Sequence, residues 1–212
     1  AGGAVSDLTI NTTGAVAVAE AVGTDIGTIL VTQSGGVDFA DTVAAATATL
    51  TDTTGTVEFS DNLTLTTGLT TAAQDYNVTL QGGTNSIAGT TTFSNTGTVT
   101  IGDGAGDSTT FVAGVTATDP GAVNVAGTVA ATTGASTITL GDSDTDVAVT
   151  ADTTVGGAAT GLIDLGDATL ADGATLTVGT GIANAINLDA VSGTAGGAVS
   201  DLTINTTGAV AV

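Results

Sequence analysis

Residues 98–114 read TVTIGDGAGDSTTFVAG, and residues 136–157 read STITLGDSDTDVAVTADTTVGG. Both stretches contain the same short unit, at 99–103 and at 138–142: an apolar residue, any residue, an apolar residue, a small residue and an aspartate. Alternation of apolar and polar residues is the period of a half-buried strand. The glycine and aspartate that follow favour a turn, because glycine permits positive φ and aspartate bonds to nearby backbone. The unit therefore predicts a short strand followed by a corner.

The same unit recurs along the chain, at 37–41, 57–61 and 163–167, with a looser copy at 168–172. Two stretches, 12–23 and 43–50, are the best candidates for helices. Their apolar residues fit the alternation of a strand as well as they fit the period of a helix, so we predict strands there. The expectation is an all-β chain of many short strands.

The chain also repeats itself over a long distance. Residues 1–18 and residues 195–212 are identical, AGGAVSDLTINTTGAVAV, which gives a period of 194 residues. Self-similarity at a fixed period is typical of repeat architectures. We therefore predict that 1–194 is one tandem repeat unit and 195–212 the start of the next. The two copies are expected to fold alike and to superpose by an axial shift.

A finer period is suggested by the aromatic residues, Phe39, Phe59, Tyr76, Phe93 and Phe111, which follow one another at spacings of 20, 17, 17 and 18 residues. One aromatic residue per coil predicts a parallel β-solenoid of about ten coils, each of roughly 17–25 residues, in every repeat. At the strand spacing of about 4.8 Å such a repeat advances roughly 45–50 Å. The four phenylalanines are expected to line one stripe of the core, with Tyr76 near them and its hydroxyl bound to a partner.

The stretches quoted at the start resemble the large secreted β-helical adhesins of bacteria, of the filamentous-haemagglutinin and autotransporter kind. Thr and Val strands alternate there with Gly-Asp and Gly-Gly corners. The resemblance implies right-handed coiling and an extracellular or cell-surface location. A left-handed helix of coils of about 18 residues is the alternative.

Charge excludes several classes of function. The chain has no Lys, Arg or His and 21 acidic residues, a formal net charge of −21. Nothing can neutralise a phosphate, which argues against nucleic acid and against anionic membranes as partners. No apolar run reaches the length of a spanning helix, so no membrane insertion is expected. Without Lys, Arg, His or Cys the usual catalytic groups are missing, and we expect no enzyme.

Two acidic clusters are candidate calcium sites, because carboxylate oxygens are the ligands that Ca²⁺ prefers. One is the run Asp142, Asp144 and Asp146, and the other is the pair Asp103 and Asp107. Calcium is the only candidate cofactor. Pairs such as Thr47-Ala48-Thr49 are interpreted as ordinary strand threonines.

These observations favour a structural function, an extracellular filament or stalk built from tandem acidic solenoid repeats. The expected partners are neighbouring copies, along or beside the fibre, and divalent cations, which are expected to promote bundling. The alternative is the shaft of a surface adhesin that binds host or neighbouring-cell glycans.

Overall fold

The computed structural model describes residues 5–212. These residues form 23 strands and no helix, and every strand pairing is parallel. The chain winds into a parallel β-solenoid of about nine turns, which confirms the predicted fold class. The stretch 43–50 is a strand, β5, and 12–23 contains strand β2 and the start of β3.

The strands stack into three ladders, which we call face one, face two and face three in the order in which each coil visits them. Face one alone holds β9 (Thr84–Ile87), β12 (Ser108–Phe111), β19 (Thr175–Val178) and β22 (Asp201–Ile204). Face two alone holds β10 (Thr91–Thr92), β13 (Val115–Ala117), β15 (Ile138–Leu140), β17 (Ile163–Leu165), β20 (Ile186–Leu188) and β23 (Val210–Ala211). Face three alone holds β2 (Val16–Val18), β4 (Val37–Phe39), β6 (Thr56–Phe59), β8 (Asn77–Leu80), β11 (Thr98–Ile101), β18 (Ala168–Leu170) and β21 (Val191–Gly193).

Six longer strands run around a corner. Four of them cover faces one and two: β1 (Ser6–Asn11), β3 (Val22–Gln33), β5 (Val43–Leu50) and β7 (Leu63–Thr71). The other two cover faces three and one: β14 (Ala122–Ala131) and β16 (Asp146–Gly157). The ladder register shifts at the corner inside these strands, for example between Ala45 and Thr47 and between Val125 and Gly127. Such irregularities bend a strand without ending it.

The core is a set of continuous columns of apolar side chains. On face three one column begins at Val16 and ends at Val191, and all its members except Ala168 are valines. Eight turns separate those two residues, so each coil takes about 22 residues. Most of these valines are completely buried. Each contributes about 1.5–3 kcal/mol relative to an exposed side chain, and stacking coils is what buries it.

The aromatic side chains are all buried, as predicted, but they do not form one stripe. Phe39 and Phe59 stack in register on face three, with ring centroids 4.9 Å apart. Phe111 ends a strand of face one, and Phe93 continues the face-two ladder, where its N–H donates to Thr116. The prediction of a single stripe is wrong because most aromatic spacings are shorter than the coil. Each later ring therefore lies further back around the coil.

Tyr76 lies at the corner between faces two and three, where its hydroxyl donates to the Leu50 carbonyl at 3.0 Å and accepts from the Ala72 N–H at 3.0 Å. The predicted partner for this hydroxyl is confirmed. Burial raises the pKa of Tyr76, and the hydrogen bonds from Ala72 and with Thr71 only partly oppose it. The phenol therefore stays neutral and ties two successive coils together.

The predicted strand-and-corner units are confirmed as strands that end at corners, but they lie on two faces. Units 37–41, 57–61 and 99–103 belong to face three, whereas 138–142 and 163–167 belong to face two. Gly102 and Gly141, which follow two of these strands, have φ of 76° and 73°, a conformation that strongly favours glycine.

The two copies of the 18-residue sequence occupy different faces. In the first copy Leu8 and Ile10 pair with Ile29 and Val31 of face two, and Val16 begins the face-three column. In the second copy Leu202 and Ile204 pair with strand β19 of face one, and Val210 pairs with β20 of face two. The expectation of superposition by an axial shift alone is therefore wrong. The copies are separated by about 8.7 turns, an axial distance of about 42 Å, compared with the roughly 45–50 Å expected for one repeat.

Candidate functional site

The acidic side chains are concentrated on one side of the solenoid. Between residues 43 and 200, all of them except Asp164 lie on face three or in the two corners that flank it. The acidic residues on this side are Asp52, Glu58, Asp61, Asp75, Asp103, Asp107, Asp119, Asp142, Asp144, Asp146, Asp152, Asp167, Asp172 and Asp189. Outside that range, Asp7 on β1, Asp25 on β3 and Asp201 on β22 lie on face one or at its corner with face two. Within residues 43–200, faces one and two, with the corner between them, are neutral apart from Asp164. We call them the neutral flank, residues 43–50, 63–71, 84–92, 108–117, 127–140, 153–165 and 175–188.

Some of the corner aspartates have a structural role. Asp152 Oδ1 accepts from the Thr175 N–H at 2.8 Å, and Asp167 Oδ1 accepts from the Ala190 N–H at 3.0 Å, each in the following coil. Asn62 does the same for the Thr84 N–H at 2.7 Å. Because a neutral amide oxygen replaces the carboxylate at an equivalent corner, the bond does not require a charge. The charge of the corner aspartates therefore affects the surface potential more than it affects the stability of the fold.

Two carboxylates stack on face three itself. Asp38 and Glu58 are directly in register on neighbouring strands, both facing outward. Ser60 Oγ lies 3.0 Å from Asp38 Oδ1 and 3.3 Å from Glu58 Oε1, so its single proton serves one carboxylate at a time. Like charges directly opposite each other in a ladder are destabilising. A nearby cation or high salt would therefore reduce the repulsion between these two carboxylates.

The predicted pair Asp103 and Asp107 does come together, at the corner between strands β11 and β12. Asp107 Oδ2 accepts from the backbone N–H groups of Asp103 at 2.8 Å and Gly104 at 2.9 Å. A side-chain hydrogen bond to Asp107 raises the pKa of Asp103. Burial pushes the pKa of Asp107 upward, but the two N–H donors and Asp103 outweigh it, and the net direction is down. One carboxylate of the pair is thus already used to close the corner.

The second predicted cluster lies at another corner, between strands β15 and β16. Asp142 Oδ1 accepts from the N–H groups of Asp144 at 2.9 Å and Thr145 at 3.0 Å, while Asp144 and Asp146 are exposed. Thr145 Oγ1 anchors this corner on the carbonyls of Thr118 at 2.7 Å and Pro120 at 2.6 Å.

Within residues 5–212, no three side chains of His, Cys, Asp or Glu lie close enough together to hold a metal ion. The two clusters are at different corners and do not join. A calcium ion at either would need backbone carbonyls and water for most of its six to eight oxygen ligands. Calcium binding at Asp103 and Asp107, or at Asp142, Asp144 and Asp146, stays a prediction.

The neutral flank carries two ladders of hydroxyl groups that sequence reasoning missed. Each face has one ladder, unbroken from coil to coil. On face one the ladder is Thr84, Ser108, Thr128, Thr154, Thr177 and Thr203. On face two it is Thr49, Thr70, Thr92, Thr116 and Thr139. Their sequence spacings vary from 20 to 26 residues, so only the coil register shows that they are neighbours.

The surface offers little for stacking on a ligand, because all five aromatic residues of the chain are buried. A shallow groove where face one meets the charged side is lined by Gly127, Asp152, Thr154, Thr175 and Thr177. Its polar groups are hydroxyls and one carboxylate that already accepts a backbone hydrogen bond.

Residues 5–212 contain no helix long and apolar enough to cross a membrane. Comparisons of the chain with family models, with curated proteins and with solved structures give no match. The assignment that stands is a parallel β-solenoid of about nine turns.

Proposed function

We propose that the chain is part of an extracellular structural shaft, a filament or stalk built from tandem acidic β-solenoid repeats. The main support for the proposal is that the same 18-residue sequence is found at both ends of the solenoid. Leu8 and Ile10 enter the core at one end of the solenoid, and their duplicates Leu202 and Ile204 take inward positions at the other. A further coil would find the same apolar pattern to stack on.

The exposure of these side chains supports a continuing stack. Ile10, covered by the second coil, is 7% exposed, whereas Ile204 and Val210 in the last coil are 37% and 45% exposed. Unpaired strand edges and open apolar cores are usually covered by a further unit in repeat proteins. In a tandem array the following repeat supplies that cover.

The remaining features of the proposal come from the resemblance to large secreted bacterial β-helical adhesins and from charge. They are right-handed coiling, an extracellular or cell-surface location, a non-enzymatic role, and neighbouring copies as partners. One repeat carries 20 negative charges, since Asp201 duplicates Asp7 among the 21. Spread over about 42 Å, this approaches the charge density at which DNA condenses its counterions, so divalent cations are proposed as further partners.

The alternative, an adhesin shaft that binds glycans, has less support. Sugar-binding sites usually present aromatic faces together with a few polar groups, and here every aromatic ring is buried. The groove at Asp152 and Thr175 is the place where a weak glycan contact would be sought.

Small-angle X-ray scattering of chains with one, two and three repeats tests the shaft. A continuous solenoid lengthens by about 42 Å per repeat and keeps the cross-section of a rigid rod. Scattering typical of compact bodies on flexible linkers would instead show that each repeat folds alone, and the proposal would fail.

A further inference from the structure

We propose that the neutral flank is a lateral docking surface for a second copy of this chain. The inference deepens the proposed function by naming the surface through which one shaft meets another. It rests on three observations: the separation of charge around the solenoid, the hydroxyl ladders of the flank, and the area that the flank presents.

The first step is electrostatic. Two copies of a chain with a net charge of −21 and no basic residue repel each other in almost every orientation. With face three or its corners in contact, carboxylates would face carboxylates, and like charges brought together across an interface cost several kcal/mol. With the neutral flanks in contact, Asp164 is the one carboxylate of residues 43–188 on the contact side, and the other carboxylates of that range lie on face three or its corners. The sequence thus leaves one broad side through which identical copies can approach.

The second step is chemical. Thr92, Thr116 and Thr139 are consecutive members of the face-two ladder, and Thr128, Thr154 and Thr177 belong to the face-one ladder. A hydroxyl is both a donor and an acceptor. A threonine ladder is therefore complementary to a second threonine ladder, and the methyl groups pack between the hydroxyls. A symmetric dimer, which brings the same patch of both copies together, needs this kind of self-complementarity.

The third step concerns strength. A strand of four residues is about 13 Å wide and seven stacked coils extend about 30 Å, so one face presents about 400 Å². Stable specific complexes bury about 800 Å² on each partner. Two single repeats are therefore expected to meet transiently through this surface.

Disulfide trapping on the 212-residue chain tests the surface directly, because the chain has no cysteine of its own. The variant Thr116→Cys places one thiol on the neutral flank. The matched control Thr100→Cys places one on face three, at a half-buried, outward strand position in the adjacent coil. Thr110→Cys samples the face-one side of the flank. The rate of covalent dimer formation under diamide is measured, and each rate is divided by the reactivity of the same thiol towards iodoacetamide.

The expected result is a normalised rate at least about tenfold higher for T116C or T110C than for T100C, and a difference that persists at 1 M salt, where repulsion is screened. If the rates converge at high salt, the flank is merely less repulsive and the docking proposal is wrong. Faster trapping of T100C in Ca²⁺ than of either flank variant would overturn it in favour of cation bridges on the charged side. The test uses one repeat, so its failure leaves the tandem shaft untouched.

Discussion

The two copies of the 18-residue sequence make a natural comparison, because the same letters meet different surroundings. In the first copy the two strands are Ser6–Asn11, which ends on face two, and Val16–Val18, which lies on face three. In the second copy they are Asp201–Ile204 on face one and Val210–Ala211 on face two. In both copies the same alternate residues point inward. The sequence therefore specifies which side chains are inside, and the preceding coil decides which face they occupy.

The largest expected effect concerns the geometry of a longer array of repeats. A displacement of about 8.7 turns means that each repeat is rotated by about one third of a turn relative to the one before it. We expect a cryo-EM reconstruction of a chain with three repeats to show an advance of about 42 Å and a rotation of about 120° per repeat. The charged side then winds around the shaft once in three repeats. An unrotated stack would show that the second copy changes faces when a full repeat follows it.

The largest energetic effect is expected inside the core, at one position of the two copies. The variant Ile10→Asp puts a carboxylate at a site that is 7% exposed, whereas Ile204→Asp changes a side chain that is already 37% exposed. A buried charge without a partner costs about 3 kcal/mol or more. We expect fast amide hydrogen exchange in β1 and β3 for I10D, and little change in β19 and β22 for I204D.

A chain of two repeats supplies the control for this pair. There the following repeat covers Ile204, so I204D should accelerate exchange in its own coil at least as much as I10D does in the first. If I204D does not accelerate amide exchange in the longer chain, the second repeat does not stack on the first.

The same contrast explains what could be predicted from the sequence. Alternation identified strands such as Thr98–Ile101 locally, because inward and outward positions follow from a period of two. The coil register was not predictable, because coils of about 22 residues differ in length and the corners absorb the difference. The aromatic spacing therefore suggested a stripe that does not exist. The hydroxyl ladders and the charge separation could not be predicted from the sequence, because both depend on which residues are neighbours in successive coils.

An intermediate effect is expected at one glycine of the duplicated sequence, which is Gly14 in the first copy and Gly208 in the second. A methyl group on Gly14 would meet only Thr12 Oγ1, at 3.7 Å, whereas on Gly208 it would collide with the backbone of Asn184 in the coil beneath. Neither glycine has positive φ, so the difference is steric. We expect Gly208→Ala to loosen the last coil by about 1–3 kcal/mol, and Gly14→Ala to be neutral or to stabilise by up to about 1 kcal/mol.

Hydrogen exchange of strand β23 for G208A, and of strand β2 for G14A, measures both effects. Equal destabilisation by the two alanines would mean that the turn itself needs glycine. The contact with the neighbouring coil would then be irrelevant.

The smallest effect is expected at the aspartate of the two copies. Asp7 Oδ1 accepts a hydrogen bond from the Thr28 N–H of the second coil at 2.8 Å, in an exposed position. Among residues 5–212, the side chain of its duplicate Asp201 accepts no hydrogen bond. In the proposed tandem array, a following coil would supply the donor. We expect Asp7→Ala to cost about 1 kcal/mol, seen as faster exchange of the Thr28 amide, and Asp201→Ala to cost nothing measurable. In a chain of two repeats Asp201→Ala should acquire the same cost, at the equivalent of Thr28. If Asp7→Ala proves silent as well, the bond is only a surface contact, and successive coils are joined by their ladders and core alone.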